Sequence, residues 1–178
     1  MCIRDRGTGK RQPEADAKKV MADVQRKLIE VGTEVRQLSH GLHPPVLQDA
    51  GLPQAVQAYC AEFGAASGIP VSCEADDDAR ELSRGAALAL FRILQEALGN
   101  AAKHAQAKRI SVRLTRSSND VALVVSDDGA GFDPGQLGTT GGLGLVMMRE
   151  RASQLNGTFE FASAPNRGTT IKVVIPFR

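Results

Sequence analysis

Tryptophan is absent, tyrosine occurs once, and the formal net charge of +2 is not gathered into any long basic run. Nucleic acid is held by cations that track phosphate and, when single-stranded, by aromatic rings on which bases stack. This composition builds neither, so nucleic acid is excluded as a direct partner. No apolar run approaches the roughly 20 residues that span a bilayer, and the start shows no basic-then-apolar signal pattern. The chain therefore reads as cytoplasmic, with any membrane attachment of a longer parent expected in regions preceding these residues. The three cysteines, Cys2, Cys60 and Cys73, are odd in number and lack C-x-x-C spacing, which argues against a disulfide framework or a zinc site. They read as reduced thiols. Histidine is equally sparse: His40, His43 and His104 are all there are.

What is present suits one domain of ordinary size with a helical extension. Of 178 residues, 42% are apolar and 24% charged, enough for one buried core but not for two. The first six residues, MCIRDR, match the translation of a common transposase adapter used in sequencing libraries, and residues 1–13 are expected to be a disordered leader containing that scar. From Glu14 to Ser39 the chain is free of proline. Met21, Val24, Leu28, Val31, Val35, Leu38 and Leu42 then alternate at spacings of three and four. That is the seam of a helix packed in a bundle or coiled coil, although an amphipathic helix lying on its own domain has a related pattern. The helix is expected to stop near Gly41, because Pro44 and Pro45 cannot continue it. Residues 14–45 are thus expected to form a stalk, and 46–178 a separate domain.

In that domain the pattern predicts a helix from Leu52 to about Ala66 and a strand from Pro70 to Glu74. A long helix capped by Ser83 should run to about Ala105, followed by strands in KRISVRLTR and DVALVVSD. A helix from Leu143 to about Leu155 and two strands, GTFEFAS and GTTIKVVIPF, finish the chain. The expected class is α/β in content and α+β in architecture: a two-layer sandwich with a mixed sheet and helices on one face. Between Asp128 and Gly142 lie fifteen residues with six glycines and one proline, a loop of a length that function usually explains.

Three stretches carry chemistry. In FRILQEALGNAAKHA, Arg92, Glu96, Asn100, Lys103 and His104 recur at spacings of three or four and share one side of an otherwise apolar helix. A carboxylate and an amide oxygen one turn apart suit a hard cation such as magnesium, which takes its remaining ligands from water and phosphate. In LVVSDDGAGFDP, Asp127 ends a strand and opens D-x-G-x-G with Gly129 and Gly131. A carboxylate fixed there can accept from an exocyclic amine, and the glycines admit close backbone approach. In GGLGL, Gly141–Leu145, free N–H groups at a helix start form an anion site. Taken singly, each stretch is equally compatible with a solvated helix face, an ordinary Asp-Gly turn, or a plain helix entry. Their fixed order over about eighty residues, completed by Gly168-Thr169, is far more specific.

This ordered set resembles the Bergerat-type ATP-binding domain shared by histidine kinases and gyrase. The resemblance implies that Asn100, with Glu96, ligates magnesium, that Asp127 binds the adenine amine, and that residues 128–142 form a lid over ATP. It extends the nucleotide site to Lys103, His104, Gly129, Gly131, Gly142, Leu143, Gly144, Leu145 and Thr169, with Glu96, Asn100 and Lys103 in the catalytic group. LSHGLHPPVLQDAGL, joined to FRILQEALGNAAKHA and GLVMMRERASQLNG, further resembles sensor histidine kinases of two-component systems, of the nitrate/nitrite-sensor type.

In that family two helices from each subunit build a dimerisation bundle, so the implied partners are a second copy, through the N-terminal helix, and a response regulator. The family's phosphorylated histidine lies on the first bundle helix before an acidic residue. Here Gly41 follows His40 and Pro44 follows His43, so neither is expected to be the acceptor, which would lie on a helix preceding this chain. Two alternatives share the fold: an ATPase or protein-serine kinase, and a module that binds ATP or dimerises without catalysis.

Overall fold

The computed structural model describes residues 45–136 and 143–177. The stalk as far as Pro44, with His40 and His43, lies outside the described residues, as do Gly141 and Gly142. A short helix, α1 (Pro45–Asp49), begins on a proline, whose missing N–H is harmless at a first helical position. Helix α2 (Leu52–Ser67) buries Leu52, Ala55, Val56 and Cys60, which fall on one helical face.

Helix α3 (Arg84–Asn100) is the central one. The Ser83 hydroxyl caps it, accepting from the Ala86 N–H at 3.3 Å. Two adjacent columns, Ala86-Leu90-Ile93-Ala97 and Ala87-Phe91-Leu94-Leu98, are buried, an apolar stripe wide enough to sit under a whole sheet. The sequence predicts a helix to Ala105, and the chain does stay helical that far. Its last turn, Ala101–Ala105, is nevertheless a π-turn. The wider turn accompanies a tertiary bond: the Ala105 carbonyl, left without an intrahelical donor, accepts from the Ala130 N–H at 2.6 Å.

The sheet contains β1 (Val71–Ala75), β2 (Ile110–Arg116), β3 (Asp120–Asp127), β4 (Thr158–Ser163) and β5 (Thr169–Pro176), in the order β1-β2-β3-β5-β4. Only β1 and β2 pair in parallel, joined by a crossover that contains α3; the other pairs are antiparallel. The register lines up Val112, Val125, Ile171 and Phe161 in one cross-strand row and Leu114, Leu123, Val173 and Phe159 in the next. These rows face the helices and are buried or half-buried. On the opposite face lie the Arg113–Glu74 and Lys172–Glu160 ion pairs and the Ser126–Thr170 hydroxyl contact at 2.8 Å. The architecture is thus α+β, a mixed five-stranded sheet with its helices on one face. Helix α4 (Leu143–Gln154) packs against α3 and against β4 and β5, burying Met148 and Ala152.

Candidate functional site

Strand alternation decides what Asp127 does. Val121, Leu123 and Val125 point into the core, and period two carries Asp127 to the same face one position beyond them. The carboxylate stands in the row Ile110, Asp127, Thr169, Ser163, where an apolar side chain would continue the core. Its partners are backbone donors: the Gly129 N–H reaches its Oδ1 at 2.9 Å, and the Thr169 N–H also donates to it. Burial pushes its pKa above the ordinary carboxylate range, against the smaller lowering by these two N–H groups and with a further rise from the Asp128 charge.

Asp128, one residue on, is the reverse. It points to solvent, and the N–H groups of Lys108 and Arg109 donate to its Oδ1 at 2.8 and 2.9 Å. Those bonds hold its pKa below the usual range and fasten the end of β3 to the entry of β2. Two adjacent aspartates therefore divide the work: one fixes the turn and the other faces inward.

A cleft of about 510 Å³ opens beside Asp127, within the range that suits a small ligand. Ala97, Ala101, Ala105 and Ile171 line it with small or aliphatic side chains. Asp127 and Thr169 lie on its wall, and Glu96, Asn100, Lys103 and His104 also line it, together with Leu143, Gly144 and Leu145 at the start of α4. Glu96 and Asn100 are half-buried, whereas Lys103 and His104 are exposed. The polar column predicted from α-helical spacing thus reaches one cleft even though its last turn is π. Arg92, on the same column, does not line the cleft; its guanidinium donates to Gln95 Oε1 at 3.3 Å.

Close approach explains two glycines. A Cβ on Gly144 would collide with Glu96 Oε1 and come within 3.3 Å of Asn100 Nδ2, so the start of α4 presses on the carboxylate and amide of α3. A Cβ on Gly129 would run into the Ala105 carbonyl. Gly129 does not line the cleft, and the close approach it admits is between two segments of this chain; Gly131, by contrast, lines the cleft. Gly142 lies outside the described residues. The sequence reading missed Phe132 and Ile171, which line the cleft, and Ser163, whose hydroxyl accepts from the Phe132 N–H at 2.9 Å. The strand pattern held the signal for Ser163: Phe159, Phe161 and Ser163 alternate onto the core face as Val121 to Asp127 do.

Glu96 and Asn100 offer a carboxylate and an amide oxygen side by side, and neither side chain has a hydrogen-bond partner among the described residues. No group of three or more His, Cys, Asp or Glu that could hold a metal occurs among the described residues. Such a donor set does not make an all-protein metal cage. It fits a hard cation that arrives with phosphate and keeps most of its water.

Comparison with known proteins gives the family and the fold. The family described as "Histidine kinase-, DNA gyrase B-, and HSP90-like ATPase" matches residues 85–178. Sensor histidine kinase MctS of Rhizobium johnstonii is 39% identical over 145 residues, 80% of this chain and 31% of its own length. Oxygen sensor histidine kinase NreB of Staphylococcus carnosus is 36% identical over 161 residues, 90% of this chain and 46% of its own. The chain spans less than half the length of these relatives. Among solved structures, the blue-light activated histidine kinase of Erythrobacter litoralis aligns with a TM-score of 0.60 at 21% identity, over 96% of this chain and 62% of that one. Histidine kinase AdeS of Acinetobacter baumannii aligns at 0.56 with 14% identity, covering 96% and 88%. At those identities the likeness is one of fold.

Proposed function

The chain belongs to the family of histidine kinase-, DNA gyrase B-, and HSP90-like ATPases, and on that premise we propose that it is the ATP-binding catalytic part of a two-component sensor histidine kinase. Its curated relatives are sensor histidine kinases, and the family is an ATP-binding one. One observation carries the site assignment: Glu96, Asn100, Asp127, Gly144 and Thr169, far apart in sequence, line a single cleft.

In this reading the purine lies in the cleft beside Ala97, Ala101 and Ile171, and the Asp127 carboxylate accepts from its exocyclic amine. The phosphates extend toward Lys103 and the N–H groups that open α4. Asn100, with Glu96, would hold magnesium, which supplies neutralising charge to the phosphates when bound. Phosphoryl transfer asks chiefly for positioning and charge neutralisation. Lys103 adds a cation one turn from Asn100, and α4 supplies oriented dipoles. The γ-phosphorus leaves the ADP oxygen and bonds to a ring nitrogen of a histidine, then passes to a carboxylate oxygen of a response regulator aspartate.

The seam from Met21 to Leu42 would bring two copies together. Among the described residues no helix is long and apolar enough to cross a membrane; the proposed setting is the cytoplasm, with any anchor elsewhere in a longer parent. The test supplies γ-labelled ATP, magnesium and a histidine-bearing helical bundle as a second polypeptide. Label on the bundle supports the reading. ATP binding without transfer leaves the non-catalytic module in its place.

A further inference from the structure

We propose that Ser163 is a positioning residue that fixes the direction of the Thr169 hydroxyl, and through it the preference of the cleft for a 6-amino over a 6-oxo purine. The proposal rests on the nucleotide reading of the cleft and adds to it the group that sets base selectivity.

Three contacts meet at the Ser163 oxygen. The Phe132 N–H donates to it at 2.9 Å, the hydroxyl donates to the Gly168 carbonyl at 3.0 Å, and the Thr169 Oγ1 lies 3.0 Å away. A hydroxyl has one proton to give. Gly168 is a buried residue, and an unpaired buried carbonyl is costly, so the Ser163 proton is committed there. The Ser163–Thr169 contact can then run one way only, with Thr169 as the donor. Its proton points away from the cleft that Thr169 lines, and the Thr169 oxygen turns only lone pairs toward a ligand.

Asp127 and Thr169 are directly paired across β3 and β5, and Thr169 and Ser163 across β4 and β5, so the three side chains share one face of the sheet. The Asp127 carboxylate and the Thr169 oxygen together form an acceptor-only edge. A 6-amino purine offers donors to that edge. A 6-oxo purine offers an oxygen, leaving acceptor against acceptor, the kind of mismatch that separates close analogues strongly. Without the Ser163 oxygen, the Thr169 proton is free to rotate toward the cleft and donate to a 6-oxo group.

The test is calorimetric titration of the chain with magnesium-ATP and magnesium-inosine triphosphate, for wild type, Ser163→Ala, Thr169→Val and the double variant. In Ser163→Ala the ratio of the two dissociation constants should fall roughly tenfold, the scale of one hydrogen bond. In the Thr169→Val background the same change should leave the ratio where it is, because Ser163 acts through Thr169. Equal weakening of both nucleotides in Ser163→Ala, with an unchanged ratio, would reduce Ser163 to a structural tie and overturn the proposal. So would an equal shift of the ratio with and without the Thr169 hydroxyl. If Ser163→Ala fails to fold, Ser163→Cys keeps the volume with a weaker donor and acceptor, and should lower the ratio in the same direction. A wild-type chain that binds ATP well and inosine triphosphate poorly upholds the premise whatever the variants do, whereas one that binds neither removes the nucleotide reading itself.

Discussion

Replacing Asp127 with asparagine separates the binding role of this residue from its structural one. The side chain keeps its shape and one oxygen, which can still accept from the Gly129 N–H now 2.9 Å from Oδ1. The other terminus becomes an NH2 group, a donor where the carboxylate could accept from the Thr169 N–H and from the proposed adenine amine. Folding loses one accepted backbone bond, about 1 kcal/mol, but it is also relieved of burying a charge, the main cause of the raised pKa. The two effects oppose each other, so the melting temperature should move by only a few degrees. Binding has no such relief: a hydrogen bond to a charged acceptor is lost and a ligand donor is stranded, costing roughly 1.5–3 kcal/mol. Affinity should therefore fall about ten- to hundredfold. Calorimetry with magnesium-ATP beside a thermal melt reads both quantities. Unchanged affinity in a folded Asp127→Asn chain would remove Asp127 from the site, and a loss of affinity that merely follows unfolding would make it structural.

Three further outcomes follow from the same geometry. Asn100→Ala should weaken ATP binding most when magnesium is limiting and be partly masked when it is abundant, as titrations at several magnesium concentrations would show; a defect indifferent to magnesium would indicate packing. Gly129→Ala and Gly144→Ala should differ in kind. The first drives a methyl into the Ala105 backbone and should destabilise by about 1–3 kcal/mol or more, whereas the second meets the flexible end of Glu96, so it should melt near wild type but bind magnesium-ATP poorly. The raised pKa of Asp127 also has a signed consequence. Because the folded-state value lies above the unfolded one, burial costs stability once pH exceeds the folded value, and this cost is relieved as pH falls toward the unfolded value. Since the ligand amine needs the ionised form, ATP affinity should decline as pH falls through that raised value, with proton release on binding in the same window; a flat profile in wild type, matching Asp127→Asn, would contradict this.

Much of the domain follows from two periodicities. The apolar columns of α3 and the alternation of DVALVVSD each have one dominant partner, the sheet in one case and the helix layer in the other, so local pattern and tertiary structure agree. What the pattern does not carry is decided by contacts between distant segments. The π-turn at Ala101–Ala105 accompanies the bond from Ala130 to Ala105, twenty-five residues along the chain. Gly129 carries the D-x-G-x-G signature, but its reason in this fold is the Ala105 backbone. Ser163 looks like an ordinary strand residue until the register sets it beside Thr169. The short turns at Asp77–Glu81 and Pro134–Gln136 have too few residues for any periodicity to show.

Histidine phosphorylation by this domain can be read from the chemistry of the bond that the transferred phosphoryl group makes. Residues 7–178 are incubated with γ-labelled ATP and magnesium beside a histidine-bearing bundle polypeptide, and the bond is then identified by its stability and by mass spectrometry under conditions that preserve phosphohistidine. Acid-labile, alkali-stable phosphate is expected on the bundle histidine, none on His40 or His43, and a weaker signal in Asp127→Asn at limiting ATP. Acid-stable phosphate on a serine, or phosphate on His40, would contradict that reading.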